Sequence, residues 1–105
     1  MNLRISENSF RFRVTPEDLD TLLQGQGIGQ KVFLGKQSFE YMISPVLAGE
    51  MNLEIEAAKF SLSVPHQVLE ELRDLGRSKE GVTVAQGDVG IALQLDIKTQ
   101  KRKAA

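Results

Sequence analysis

The chain has 105 residues, 41% of them hydrophobic and 26% charged, with a formal net charge of -1. That length holds one hydrophobic core but not a catalytic domain with a separate binding domain, and the near-neutral balance excludes the broadly basic surface of a general nucleic-acid binder. With no cysteine there are neither disulfides nor thiolate metal sites, no apolar run approaches the roughly 20 residues of a membrane-spanning helix, and Arg4 and Glu7 stand where a secretory signal would be apolar; a cytoplasmic location without a membrane partner is expected.

In chain order, Leu3 and Ile5 alternate with polar neighbours, and Phe10, Phe12 and Val14 do so after Glu7-Asn8, which predicts a two-residue-turn hairpin with one apolar face. Thr15-Pro16-Glu17-Asp18 supplies a capping hydroxyl, a proline suited to the first helical position and carboxylates for the positive helix end. The helix it starts carries Leu19, Leu22 and Leu23 and stops near Gly25. Gly25-Gln26-Gly27-Ile28-Gly29 has the composition of a phosphate-cradling loop, but it follows a helix rather than preceding one and reads as a flexible connection. Val32 and Leu34, then Phe39, Tyr41 and Ile43, predict a second hairpin with these residues inward. Pro45 is expected to break its last strand, and residues 45–49 to form a linker.

The sequence then begins again. At an offset of 50, MNLRISENSFRFRV lies on MNLEIEAAKFSLSV without a gap, and Leu19/Leu69, Leu22/Leu72, Val32/Val82, Leu34/Val84, Phe39/Val89 and Tyr41/Ile91 continue the match. In the copy Ala57-Ala58 forms the hairpin tip, Pro65 opens a helix with Val68, Leu69, Leu72 and Leu75 on one stripe, and Val82, Val84, Val89, Ile91, Leu93, Leu95 and Ile97 form the last strand pair. The expectation is an α+β domain over residues 1–98 made of two β-β-α-β-β units (1–50 and 51–98), related by pseudo-twofold symmetry and sharing one core. A small antiparallel barrel or half-barrel with two helices is the first choice, and an open sheet with both helices on one face the alternative. Residues 99–105 read as a basic flexible tail.

The sharpest chemical cluster is Arg4, Arg11 and Arg13. A Glu7-Asn8 turn sets Arg4 opposite Arg11, an arrangement that is costly unless something anionic lies between them. At the same places the copy has Glu54, Ser61 and Ser63, with Glu56 nearby. Two readings follow: an ion-pair ladder between the arginines of one half and Glu54 and Glu56 of the other, or an anion site built on guanidinium forks. Glu54 and Glu56 are also the only metal-ligand candidates, through a loose likeness of this strand to the alternating carboxylates of triphosphate tunnel enzymes. His66, alone and without a nucleophile elbow or cysteine, reads as a solvated surface residue, and Tyr41 and the phenylalanines mostly as core.

NSFRFRVTPEDL, residues 8–19, and FSLSVP, residues 60–65, resemble the corresponding segments of an uncharacterised family of short bacterial proteins classed as a domain of unknown function. That family opens with an Asn-Ser-x-Arg-x-Arg-apolar-Thr hairpin, matched here by Asn8, Ser9, Arg11, Arg13 and Thr15. The resemblance brings no activity and no catalytic residue, and it adds Asn8 to Arg4, Arg11 and Arg13 as candidate contact residues. A second likeness is to small DNA-binding barrels of the swapped-hairpin regulator type. The expected role is a non-enzymatic binding or assembly module without a cofactor, homo-oligomeric, with an anionic small molecule as a further partner and nucleic acid disfavoured. The alternatives are a phosphate-ester or nucleotide-binding enzyme using a divalent ion, and a weak nucleic-acid binder that uses the hairpin and the Lys101-Arg102-Lys103 tail.

Overall fold

A computed structural model describes residues 1–76 and 81–96; Ile97 and the basic tail lie outside the described residues. The first alternating stretch forms β1 (Asn2–Ser6) and β2 (Ser9–Val14), with Ser6 opposite Ser9 across the Glu7-Asn8 turn. Helix α1 (Pro16–Leu23) is started by a reciprocal capping box: the Asp18 N–H donates to Thr15 Oγ1 at 3.0 Å and the Thr15 N–H to Asp18 Oδ2 at 3.1 Å, which satisfies two donors a helix start leaves over. Strands β3 (Ile28–Leu34) and β4 (Gln37–Val46) follow, then β5 (Asn52–Glu56) and β6 (Lys59–Pro65), helix α2 (His66–Leu75), β7 (Val82–Gln86) and β8 (Val89–Leu95). Each helix buries two leucines, Leu19 and Leu22 on α1 and Leu69 and Leu72 on α2.

The fold is α+β with two four-stranded sheets, ordered β1-β2-β8-β7 and β3-β4-β6-β5. Each sheet therefore takes one hairpin from each half of the chain. The two hairpins meet through their inner strands, β2 beside β8 and β4 beside β6, and both pairs run parallel. In place of the expected antiparallel barrel or half-barrel, and of the single open sheet given as the alternative, stand two mixed sheets, because exchanging hairpins between the halves brings together strands that run the same way. Ser9 pairs with Gly90 and Lys59 with Glu40, the same register under the fifty-residue offset, and each junction is closed by a matching backbone bond, Gly90 N–H to Asn8 O at 2.8 Å and Glu40 N–H to Ala58 O at 2.9 Å. Phe12, Val14, Leu22, Ile43, Leu62, Val64, Leu69, Leu72, Ile91 and Leu93, drawn from both sheets and both helices, are fully buried in one cluster.

The offset itself slips partway along. Ile28 pairs with Ile43 and Val82 with Leu93, so β3 corresponds to β7 at an offset of 54 while β4 corresponds to β8 at 50. Two glycines mark the same slip. A Cβ on Gly27 would meet Ile43 O at 3.2 Å, and one on Gly81, 54 positions later, would collide with Leu93 O. Both strands enter the sheet close to their neighbour, tightly at Gly27 and so closely at Gly81 that a Cβ does not fit without a shift of backbone. The β3–β4 hairpin therefore overhangs its counterpart, and Leu34, expected inward as the match of Val84 in the second half, is 62% exposed at its tip beside Phe33, 71% exposed.

Three smaller expectations are corrected. Ile28 and Gly29 belong to β3 rather than to a flexible connection. Pro45 does not break β4: pairing with β3 ends at Ile43, and beyond it the strand has one open side, where a residue without an N–H is tolerated. Leu75, placed on the buried stripe of α2, is half-exposed at the helix end.

Candidate functional site

The arginine hairpin forms as its spacing requires. Phe10, Phe12 and Val14 turn toward the core, so Arg11 and Arg13 project from the outer face of the β1-β2-β8-β7 sheet, where Arg4 stands directly opposite Arg11. None of the four strands contains an acidic residue, and the arginines are their only charges. Arg4 is exposed and makes no ion pair among the described residues, while Arg11 Nη1 donates to Gln94 Oε1 at 3.2 Å. Arg13 Nε is buried without a hydrogen-bond partner, on a strand position flanked by Asn2 of β1 and Gln94 of β8. Asn8 sits at the tip and contributes its backbone carbonyl to Gly90.

Arg11 also edges an open concavity of about 380 Å³ over β8, lined with Ser9, Thr83, Ala85, Gly90 and Ala92. Its floor is low because β8 sets Gly90 and Ala92 outward where β4, in the other sheet, has Glu40 and Met42. Arg4 and Arg13 flank Arg11 without lining this concavity. Sequence reading missed Gly90, Ala92 and Gln94; the available signal was the run of small residues interleaved with Val89, Ile91 and Leu93, which marks the outward positions of that strand.

The other sheet carries charges of both signs. Glu56 pairs with Lys59, Lys59 with Glu40 and Glu40 with Lys31, a row of alternating sign across all four strands, beside which Glu54 faces Ser61. The hairpin bearing Glu54 and Glu56 and the hairpin bearing the arginines lie in different sheets, and the strand next to β2 is β8. The cross-half arginine–glutamate ladder has no shared sheet in which to form. Among the described residues no group of three or more His, Asp or Glu side chains gathers to hold a metal ion.

His66 Nε2 lies 3.6 Å from Glu70 Oε2, one turn along α2, with both side chains nearly half exposed. Phe10, Phe39 and Phe60, half-buried against the core, pack with tilted rings at centroid distances of 5.8 Å (Phe10–Phe60) and 6.2 Å (Phe39–Phe60), whereas Phe33 is an outward exception with Lys31 Nζ 6.0 Å from its ring centre. Asp18 titrates below its ordinary value of 3.8: burial by itself would raise it, and this is outweighed by the hydrogen bond from the Thr15 backbone and by the Met1 ammonium at 3.0 Å. Among the described residues no helix is long and apolar enough to cross a membrane.

No curated protein matches the chain. A family model described as a family of unknown function, DUF7009, matches residues 1–102, and the chain belongs to that family.

Proposed function

We propose that this protein is a small, non-enzymatic binding module whose contact surface is the outer face of the β1-β2-β8-β7 sheet, and that this face takes an anionic group. The observation that carries the reading is Arg4 directly opposite Arg11 on a sheet whose strands contain no carboxylate. Facing guanidiniums repel one another, and an anion held between their forks turns that cost into attraction. The unpartnered Arg13 Nε and the adjoining concavity support the same reading. The Asn8, Ser9, Arg11, Arg13, Thr15 pattern is then the functional signature of the hairpin. We read the chain further as two pseudo-twofold halves that have kept the strand register and diverged on the outward faces, one half retaining the anion surface.

The test is a thermal-shift titration with inorganic phosphate and sulfate, read as a rise in Tm. The wild type is stabilised, and both Arg4→Ala and Arg11→Ala lose most of the shift. Arg4→Ala is the cleaner of the two because Arg4 is exposed and makes no hydrogen bond to Gln94. No shift with either anion, or an undiminished shift in Arg4→Ala, overturns the reading.

A further inference from the structure

The edges of the two sheets are finished differently. Strand β5 is an edge strand, and the Leu53 N–H and C=O are both taken by the side-chain amide of Gln86: Leu53 N donates to Oε1 and Nε2 donates to Leu53 O, each at 2.8 Å. Leu53 therefore directs its backbone polar groups away from β6, toward the edge. Strand β1 is the counterpart, closed by a two-residue turn in the same register, with Leu3 opposite Phe12 as Leu53 is opposite Leu62. The same alternation turns the N–H and C=O of Leu3 and Ile5 toward the open side of β1. The residue that corresponds to Gln86 there is Val32, opposite Phe39 as Gln86 is opposite Val89, and valine has no amide to offer. Among the described residues nothing else bonds the outer side of β1.

We infer that the open edge of β1 is a strand-addition site for an extended segment of a partner protein that alternates apolar and acidic residues. The inference rests on the anion-binding reading above and names the form in which the anion arrives. A strand laid along β1 gains backbone hydrogen bonds from Leu3 and Ile5, and its side chains fall alternately on the two faces of the sheet. On one face they meet Ile5, 52% exposed beside Phe10; on the other they meet Arg4, with Arg11 behind it. Apolar residues suit the first face and carboxylates the second.

The composition required is that of β5 itself, Leu53-Glu54-Ile55-Glu56, yet a second copy of the chain does not fit. The β5 edge is closed by Gln86. Pairing β1 with β1 of another copy, in the register that uses Leu3 and Ile5 of both, sets Arg4 opposite Arg4. A charge on an exposed edge strand blocks self-pairing in this way and admits a strand of opposite charge.

The probe is a capped, fluorescein-labelled nine-residue peptide alternating valine and glutamate, followed by anisotropy at low salt. Controls are the lysine-for-glutamate peptide and two versions of the glutamate peptide, each N-methylated on one alternate set of residues. The glutamate peptide binds and the lysine peptide does not, and Arg4→Glu reverses that preference. One N-methylated version binds about tenfold more weakly or worse while the other keeps the parent affinity, because only one set of N–H groups faces β1. Equal binding by both N-methylated peptides, or phosphate binding that depends on Arg4 without any peptide binding, overturns the strand-addition site and leaves the anion surface standing. Failure of both phosphate and peptide overturns both.

Discussion

The hairpins β1–β2 and β5–β6 share turn length, register and inward residues, with Phe12 and Val14 at the places of Leu62 and Val64, all fully buried. Outward, beyond the shared Asn2 and Asn52, their chemistry differs. Arg4, Arg11 and Arg13 stand where the other hairpin has Glu54, Ser61 and Ser63, and one edge is open where the other is closed by an amide. Core packing tolerates only apolar residues of fitting volume on the inward side, whereas the outward side answers to the electrostatics of whatever lies against it. Two hairpins of matching register can thus differ in chemistry without differing in strand pairing.

The comparison is broken most forcefully at the glycines that start β7 and β3. A Cβ on Gly81 meets the Leu93 carbonyl and lies 2.9 Å from Gln94 Cα, in a backbone with φ of 68°, while Gly27 has only the 3.2 Å approach to Ile43 O. Gly81→Ala should cost about 3 kcal/mol and Gly27→Ala about 1 kcal/mol, measured by urea denaturation midpoints. Equal losses would contradict the closer approach of backbone at Gly81 than at Gly27.

Gln86→Ala comes next. It strands the part-buried N–H and C=O of Leu53, at a cost of about 1–3 kcal/mol, and it opens an edge bearing Glu54 beside the existing open edge bearing Arg4. The expected result in sedimentation is head-to-tail association that salt suppresses, since one strand of each charge is now free on every chain. A variant that associates no more than the wild type at low salt would show that the amide matters for stability alone.

The helix starts differ as the edges do. Helix α1 has the Thr15–Asp18 box, whereas the cap of α2 is Pro65, without a side-chain hydrogen bond. Thr15→Ala should cost about 1 kcal/mol in the same denaturation assay, with no comparable loss for Pro65→Ala through capping. Because the folded Asp18 carboxyl titrates below its ordinary 3.8, its contribution is complete above that pH and is lost as pH falls through the lower folded value. Asp18→Asn should therefore flatten the acid limb of the stability profile without changing its slope near neutrality.

The smallest effect lies at the tips. Ala57 holds a positive φ of 47°, the single described non-glycine residue to do so. Ala57→Gly relieves that strain and should raise stability by about 1 kcal/mol or less, since glycine's greater freedom in the unfolded chain offsets part of the gain.

Much of this was readable before any coordinates. Period-two alternation located the hairpins, Thr15-Pro16 and Pro65 located the helices, and the two-residue turn alone set Arg4 against Arg11. What misled was the uniform offset. It paired Leu34 with Val84 and Val32 with Val82, whereas the strand register moves β3 four residues relative to that match and leaves Leu34 outside. An apolar residue at an overhanging tip has the same local pattern as one in the core, and only its neighbours tell them apart.

The sequence by itself determined the elements, the apolar face of each strand and the local position of every candidate arginine, because those depend on alternation, caps and turns within a few residues. Tertiary structure alone decided that hairpins from opposite halves share a sheet, that the Glu54 hairpin is parted from the arginines, that Gly90 and Ala92 floor the concavity beside Arg11, and that Gln86 closes one edge and leaves the other open. Those outcomes come from long-range strand pairing, whose energy lies in backbone bonds that every residue type can make and which therefore leaves no mark in a single strand's composition.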